Sequence, residues 1–115
     1  MSDQQQAVER IQDLLTQRKR VEWTIEMSNG ETYSNNSWAI YAHDEYPRSS
    51  VLAGQPRRTY VWEFDEENYP GEAGKEAAIQ ACKTAGVWKY TSICDGSTHI
   101  PVDQMVAHLP DDTDY

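Results

Sequence analysis

The stretch His43-Asp44-Glu45, followed by Tyr46, Arg48 and Ser49-Ser50, gathers more reactive side-chain types than any other part of the chain. An imidazole beside carboxylates can act as a general base, because nearby negative charge raises its proton affinity. A serine hydroxyl can serve as a nucleophile, and Arg48 as a clamp for an anion. Arg57-Arg58 adds two guanidinium forks suited to carboxylate or phosphate. His43, Arg48, Arg57 and Arg58 therefore make one candidate site, that of a small enzyme or an anionic-ligand-binding domain. Neighbours in a strand point to opposite faces, however, and a polar turn has the same composition. No catalytic residue is assigned.

Other chemistries lack their parts. Gly71-Glu72-Ala73-Gly74-Lys75-Glu76 imitates a phosphate loop, but the spacing is short. Glu76 stands where a magnesium-binding hydroxyl belongs, and Glu72 would repel phosphate. Cys82, Cys94, His99 and His108 form no paired zinc-ligand spacing. Neither Asp65-x-Glu67 nor Asp111-Asp112-x-Asp114 has the calcium loop's central glycine and terminal glutamate. The expectation is no metal and no cofactor. The two cysteines read as free thiols in a reducing cytoplasm. The N-terminal sequence has no basic-then-apolar signal pattern.

Charge gives the second candidate. The 115 residues hold 19 acids and 10 bases, a net −9. Residues 1–62 carry 8 acids and 7 bases, net −1; residues 63–115 carry 11 acids and 3 bases, net −8. The densest run is Glu63-Phe64-Asp65-Glu66-Glu67-Asn68-Tyr69-Pro70-Gly71-Glu72. Such a run repels nucleic acid and attracts basic surfaces, including those that bind nucleic acid. The same run would also serve as a solubilising loop that starts a helix favourably. The expected partner is a protein with a basic surface, with no direct nucleic-acid contact. Its binding residues would be Asp65, Glu66, Glu67, Tyr69 and Glu72, with Asp111, Asp112 and Asp114 behind them. Tyr69, beside Pro70, is the expected exposed anchor.

Periodicity supplies the elements that would position these groups. Ala7, Val8, Ile11, Leu14 and Leu15 predict a helix over 7–18, capped by Ser2 or Asp3. Arg18, Lys19 and Arg20 at its end suit the helix dipole. Residues 21–27 alternate, with Val21, Trp23, Ile25 and Met27 on one side, and predict a strand. Asn29-Gly30 predicts a tight hairpin into a strand at 32–34. Strands follow at 38–43, 59–64 and 87–93, with helices at 75–85 and 101–109. The helix at 75–85 is stopped by Gly86. Residues 44–58 form a loop, within which Val51-Leu52-Ala53 must tuck away as a flap. No run reaches the roughly 18 apolar residues of a membrane span.

The segment from Tyr41 to Gln55, with Arg57-Arg58 and the aromatic strand after it, resembles one in small uncharacterised bacterial and phage-type proteins. The ending His108-Leu109-Pro110-Asp111-Asp112 is similar to theirs too. The resemblance implies a mobile-element accessory protein and no particular activity.

The expected architecture is an α+β domain over 1–110 with an acidic tail at 111–115. Its order is α-β-β-β-β-α-β-α: an antiparallel sheet of four to five strands with two to three helices packed on it. The expected function is a non-enzymatic acidic interaction protein of the cytoplasm, in its sharpest form an inhibitor that mimics nucleic acid. It would cover a basic nucleic-acid-binding surface of a host defence complex. The sequence leaves the oligomeric state open.

Overall fold

The computed structural model describes residues 2–29, 36–95 and 98–106. The elements are α1 (Asp3–Gln17), β1 (Glu22–Asn29), β2 (Asn36–Glu45), β3 (Pro56–Phe64), α2 (Ala73–Ala85), a 3-10 turn (Trp88–Tyr90), β4 (Thr91–Asp95), β5 (Thr98–Pro101) and α3 (Val102–Val106). The fold class is α+β, with five strands in the order β3-β2-β1-β4-β5. The sheet is mixed rather than antiparallel throughout. β1 pairs antiparallel with β2 but parallel with β4. Hairpin signals in the first half of the chain govern only the first half of the sheet.

α1 starts four residues earlier than its apolar spacing indicates, because Ser2 caps it. The Ser2 hydroxyl accepts from the Gln5 N–H at 3.1 Å. Ala7 and Ile11 are fully buried, while Leu15 stays 42% exposed at the far end. α2 buries Ala78, Ile79, Ala81 and Cys82. It ends at Gly86 in the left-handed region, φ 85°, where the Val87 N–H reaches back to the Cys82 carbonyl. Burial pushes the Cys82 thiol up to about 12, which makes it inert at neutral pH. α2 begins hard against the sheet. A Cβ on Gly74 would lie 3.1 Å from Trp38 Cδ1 and 3.2 Å from the Phe64 carbonyl oxygen.

The helices cover one face of the sheet. Trp23, Ile25, Trp38, Ile40, Ala42, Phe64 and Ile93 face them and form the core. Met27, on the same side of β1, is 41% exposed near the strand's end. The indole of Trp62 packs at the edge of this core under the Arg10 guanidinium, 5.2 Å from the ring centroid. Among the described residues nothing accepts its buried N–H.

Other expectations change as well. The strand expected over 87–93 begins only at Thr91. Trp88–Tyr90 forms a 3-10 turn, held by the Tyr90 N–H on the Val87 carbonyl at 2.9 Å and by Thr91 Oγ1 on the same oxygen at 2.7 Å. Asn29 belongs to the ladder opposite Asn36, not to a turn. The expected strand at 32–34 lies outside the described residues. The stretch 44–58 becomes two strand ends and a short connection. Val51 does not tuck away; it is 99% exposed at the tip of that connection, and Leu52 is also exposed. The expected helix at 101–109 is seen as Val102–Val106, with Pro101 closing β5; residues 107–115 lie outside the described residues.

Candidate functional site

β1 alternates, so Glu22, Thr24 and Glu26 point away from the helices. Register carries this face across the sheet. His43 lies opposite Glu22 and Tyr41 opposite Thr24 on β2, Arg58 opposite His43 on β3, and Ser92 beside Thr24 on β4. His99 pairs with Cys94 on β5. No helix of the described residues covers these positions, and they bond to one another.

The bonds can be read donor by donor. Thr24 Oγ1 donates to Glu26 Oε2 at 2.7 Å. That uses its one proton, so its 2.8 Å contact with His43 Nε2 is one in which Thr24 accepts and Nε2–H donates. A neutral His43 ring then keeps its lone pair on Nδ1. Arg58 Nη2 donates to Glu26 Oε1 at 3.0 Å, and its guanidinium lies 3.6 Å from the Tyr41 ring centroid. Burial would raise the Glu26 carboxyl. The Thr24 hydroxyl and the Arg58 guanidinium outweigh it, with His43 adding to them, and hold Glu26 below the usual carboxylate range. Across the sheet, Ser92 Oγ lies 3.4 Å from His99 Nδ1. Two imidazoles on β2 and β5 thus flank two hydroxyls on β1 and β4. An open cleft of about 460 Å³ runs over them, also lined by Glu22 and Lys89.

Of the four residues expected to form a ligand site, the structure joins His43 and Arg58 through Glu26. Arg57 goes to the opposite, helix-covered face. There it grips Asp44, with Nε on Oδ1 at 2.8 Å and Nη2 on Oδ2 at 2.6 Å. Arg18 joins it, 3.6 Å from Asp44 Oδ1 and donating to Thr59 Oγ1 at 2.9 Å. Arg18 therefore ties α1 to the sheet rather than merely answering the helix dipole. Arg48 lies exposed in the connection between β2 and β3. The four residues do not share one pocket.

The acidic residues cluster elsewhere, at the start of α2. Asn68 Nδ2 donates to both Asp65 carboxylate oxygens at 3.0 and 3.1 Å, closing the turn that follows β3. Glu67 and Glu72 are exposed and Glu66 is half-buried; Glu72 pairs with Lys75 at 2.6 Å. Tyr69 is no free anchor. Its ring meets Phe64 edge-on, centroids 5.1 Å apart, and packs against the core. Burial foremost, then the nearby carboxylates of Asp3 and Asp65, raises its hydroxyl pKa above the ordinary phenol value. The first turn of α1 thereby lies beside the acidic turn, and Gln4 Nε2 donates to the Ala77 carbonyl of α2 at 3.4 Å. Asp111, Asp112 and Asp114 lie outside the described residues.

Sequence spacing does not mark Thr24, Glu26, Lys89, Ser92 and His99 as one site. The available signal was the polar side of β1, Glu22-x-Thr24-x-Glu26, whose neighbours depend on a register the sequence does not state. A further depression of about 500 Å³ runs along the outer side of α1, lined by Gln6, Glu9, Arg10, Gln12, Asp13 and Thr16. It is open and lined by no histidine or cysteine. Among the described residues, no group of three or more His, Cys, Asp or Glu side chains is placed to hold a metal ion, and no helix is long and apolar enough to cross a membrane. Comparison with known proteins finds no matching family model, no matching curated protein and no matching solved structure.

Proposed function

We propose that this chain is a non-enzymatic interaction protein of the cytoplasm that docks its acidic end on a basic surface of a protein partner. In its most specific form it occupies a surface that otherwise holds nucleic acid, as an inhibitor carried by a mobile element would. The observation that carries the reading is the packing of the start of α1 on the first turns of α2, where Gln4 Nε2 donates to the Ala77 carbonyl at 3.4 Å. It brings the start of α1 to the same end as the acidic turn and the first turn of α2. Asp3, Asp65, Glu66, Glu67, Glu72 and Glu76 in these segments face one base, Lys75, for a local sum of −6 + 1 = −5. Clustered charge of one sign speeds encounter with the opposite sign and is screened by salt.

The test compares the natural chain with a Glu67→Lys/Glu76→Lys variant as bait in a nuclease-treated host lysate. Nucleic-acid-binding proteins should be retained by the natural chain and released by added duplex DNA or by salt. The variant should bind the captured partner at least about tenfold more weakly, a difference of about 1.4 kcal/mol. Equal retention by both baits, indifferent to DNA and salt, would remove the electrostatic reading.

The row His43–Thr24–Ser92–His99 supports a second reading, a small-anion site in the cleft. Lys89 supplies one positive charge there, while Glu22 opposes it. Imidazole resonances followed by NMR should move as inorganic phosphate is added. Lys89→Ala should weaken the response several-fold. Rings that ignore phosphate would refute the site.

A further inference from the structure

The strand order leaves β3 at one edge of the sheet, paired on one side with β2. Its sequence, Pro-Arg-Arg-Thr-Tyr-Val-Trp-Glu-Phe, is rich in aromatic and β-branched residues, which favour extended pairing. Bases occupy its beginning, Arg57 and Arg58, and an acid its end, Glu63. An edge of this kind is a template for another strand.

The faces matter. In a regular strand Arg58 and Glu63, five residues apart, would point to opposite sides. The ladder with β2 shifts register between Ile40 and Tyr41, which adds Val61 as an extra residue on β3. Glu63 is thereby returned to the side of Arg58. Arg58 lies across from His43 and Glu63 across from Ala39, and these stand opposite Glu22 and Glu26 on the helix-free face. Thr59 and Trp62, across from Ala42 and Ile40, share the helix-covered face.

We propose that β3 pairs antiparallel with β3 of a second copy of this chain, about a two-fold axis at Tyr60, the extra residue Val61 of each strand having no residue opposite it. Each Arg58 then stands opposite the partner copy's Glu63, and each Thr59 opposite its Trp62. Both pairings join residues of the same face, and each occurs twice, as an isologous contact requires. A slip of one residue would set core-facing positions against open-face ones. The second copy is favoured as occupant by this charge complementarity within one strand. Arg58 and Glu63 are both exposed, so their pairing needs no unburying. Tyr60, 49% exposed and edge-on to Tyr41 at 6.1 Å, lies at the axis and would be covered. The two five-stranded sheets become one continuous sheet. The pairing does not depend on the acidic end, since Glu67, Glu72 and Glu76 take no part in it.

Sedimentation velocity over a concentration series, at low and high salt, tests the pairing. The natural chain should rise with concentration from 13.2 kDa toward twice that mass. Glu63→Arg should stay at the monomer mass at the same concentrations, and so should Arg58→Glu. The swap Arg58→Glu/Glu63→Arg should restore the dimer. Arg58 also contacts Glu26 and Tyr41, so circular dichroism checks that its variants are folded. Glu63→Arg changes an exposed side chain and reads the contact by itself. A natural chain that remains monomeric throughout, or a Glu63→Arg chain that associates like the natural one, overturns the proposal. So does a folded double swap that stays monomeric.

Discussion

Phe64→Ala should lower folding stability by about 3–5 kcal/mol, the range seen when a large aromatic is cut from a packed core. Phe64 is fully buried at the end of β3, where three contacts meet. It stands opposite Trp38 on β2, its ring supports Tyr69, and its carbonyl lies where α2 starts beside Gly74. Gly74 has no side chain to fill the space, and Trp38 is held by the sheet. Against a total of about 5–15 kcal/mol for a domain of this kind, the loss is large. Urea unfolding should show a lower midpoint with an unchanged slope. Phe64→Leu should cost less than about 1.5 kcal/mol, since volume is nearly kept. The alanine variant should also loosen Tyr69 and with it the acidic turn. On the proposed function, binding to a basic partner should then weaken even where no carboxylate is altered. A loss below about 1 kcal/mol would show that the site collapses more readily than its neighbours indicate.

Asp44→Asn should cost on the order of 2–3 kcal/mol at neutral pH, somewhat below the loss from breaking a fully buried ion pair. The Asp44 side chain is only 8% exposed and holds two guanidinium groups, Arg57 and Arg18. Removing its charge leaves both without their shared counter-charge. The hydrogen bonds from Arg57, foremost, and then the charge of Arg18 outweigh burial and keep its carboxyl below the usual range. A carboxyl lowered in the folded state stabilises fully above its unfolded value, about 3.9, and loses that contribution as pH falls through the folded value. The gap between natural and variant chains should therefore be wide at pH 7 and should narrow below about pH 4. Urea midpoints measured at both ends of that range check the sign. A gap equally wide at pH 2.5 would assign the cost to lost packing instead.

Local signals account for much of the fold. The apolar spacing of α1 and α2, the Gly86 stop and the alternation of β1 are short-range features, and each is present in the structure. The parallel pairing of β1 with β4 is not local. Trp23 and Thr91 are register partners 68 residues apart, and no spacing rule ties them. Trp88–Tyr90 reads as strand because alternation over three residues is also compatible with one tight turn. The site divides in the same way. His43 is conspicuous in the sequence, but its partner Thr24 comes from another strand, and the charge on that partner's neighbour, Glu26, is answered by Arg58 from a third. Arg57 and Arg58 look like one basic pair. The sheet sends them to opposite faces, so one braces the helix layer and the other joins the open-face network.

The parallel pairing at the middle of the sheet also orders events in time. β2 can fold back on β1 soon after both are synthesised, since their nearest register partners are Asn29 and Asn36. The other edge of β1 must wait for β4, whose Thr91 follows Trp23 by 68 residues. At a translation rate of about 5–20 residues per second, that wait is roughly 3–14 s. For most of it, Trp23 and Ile25 lie on a strand with an unpaired edge and an apolar side whose α2 cover has not been completed. Nascent chains of this protein therefore pass through a stage open to holding by chaperones or to mispairing with one another. The strand that is central in the finished sheet spends its first seconds as an edge.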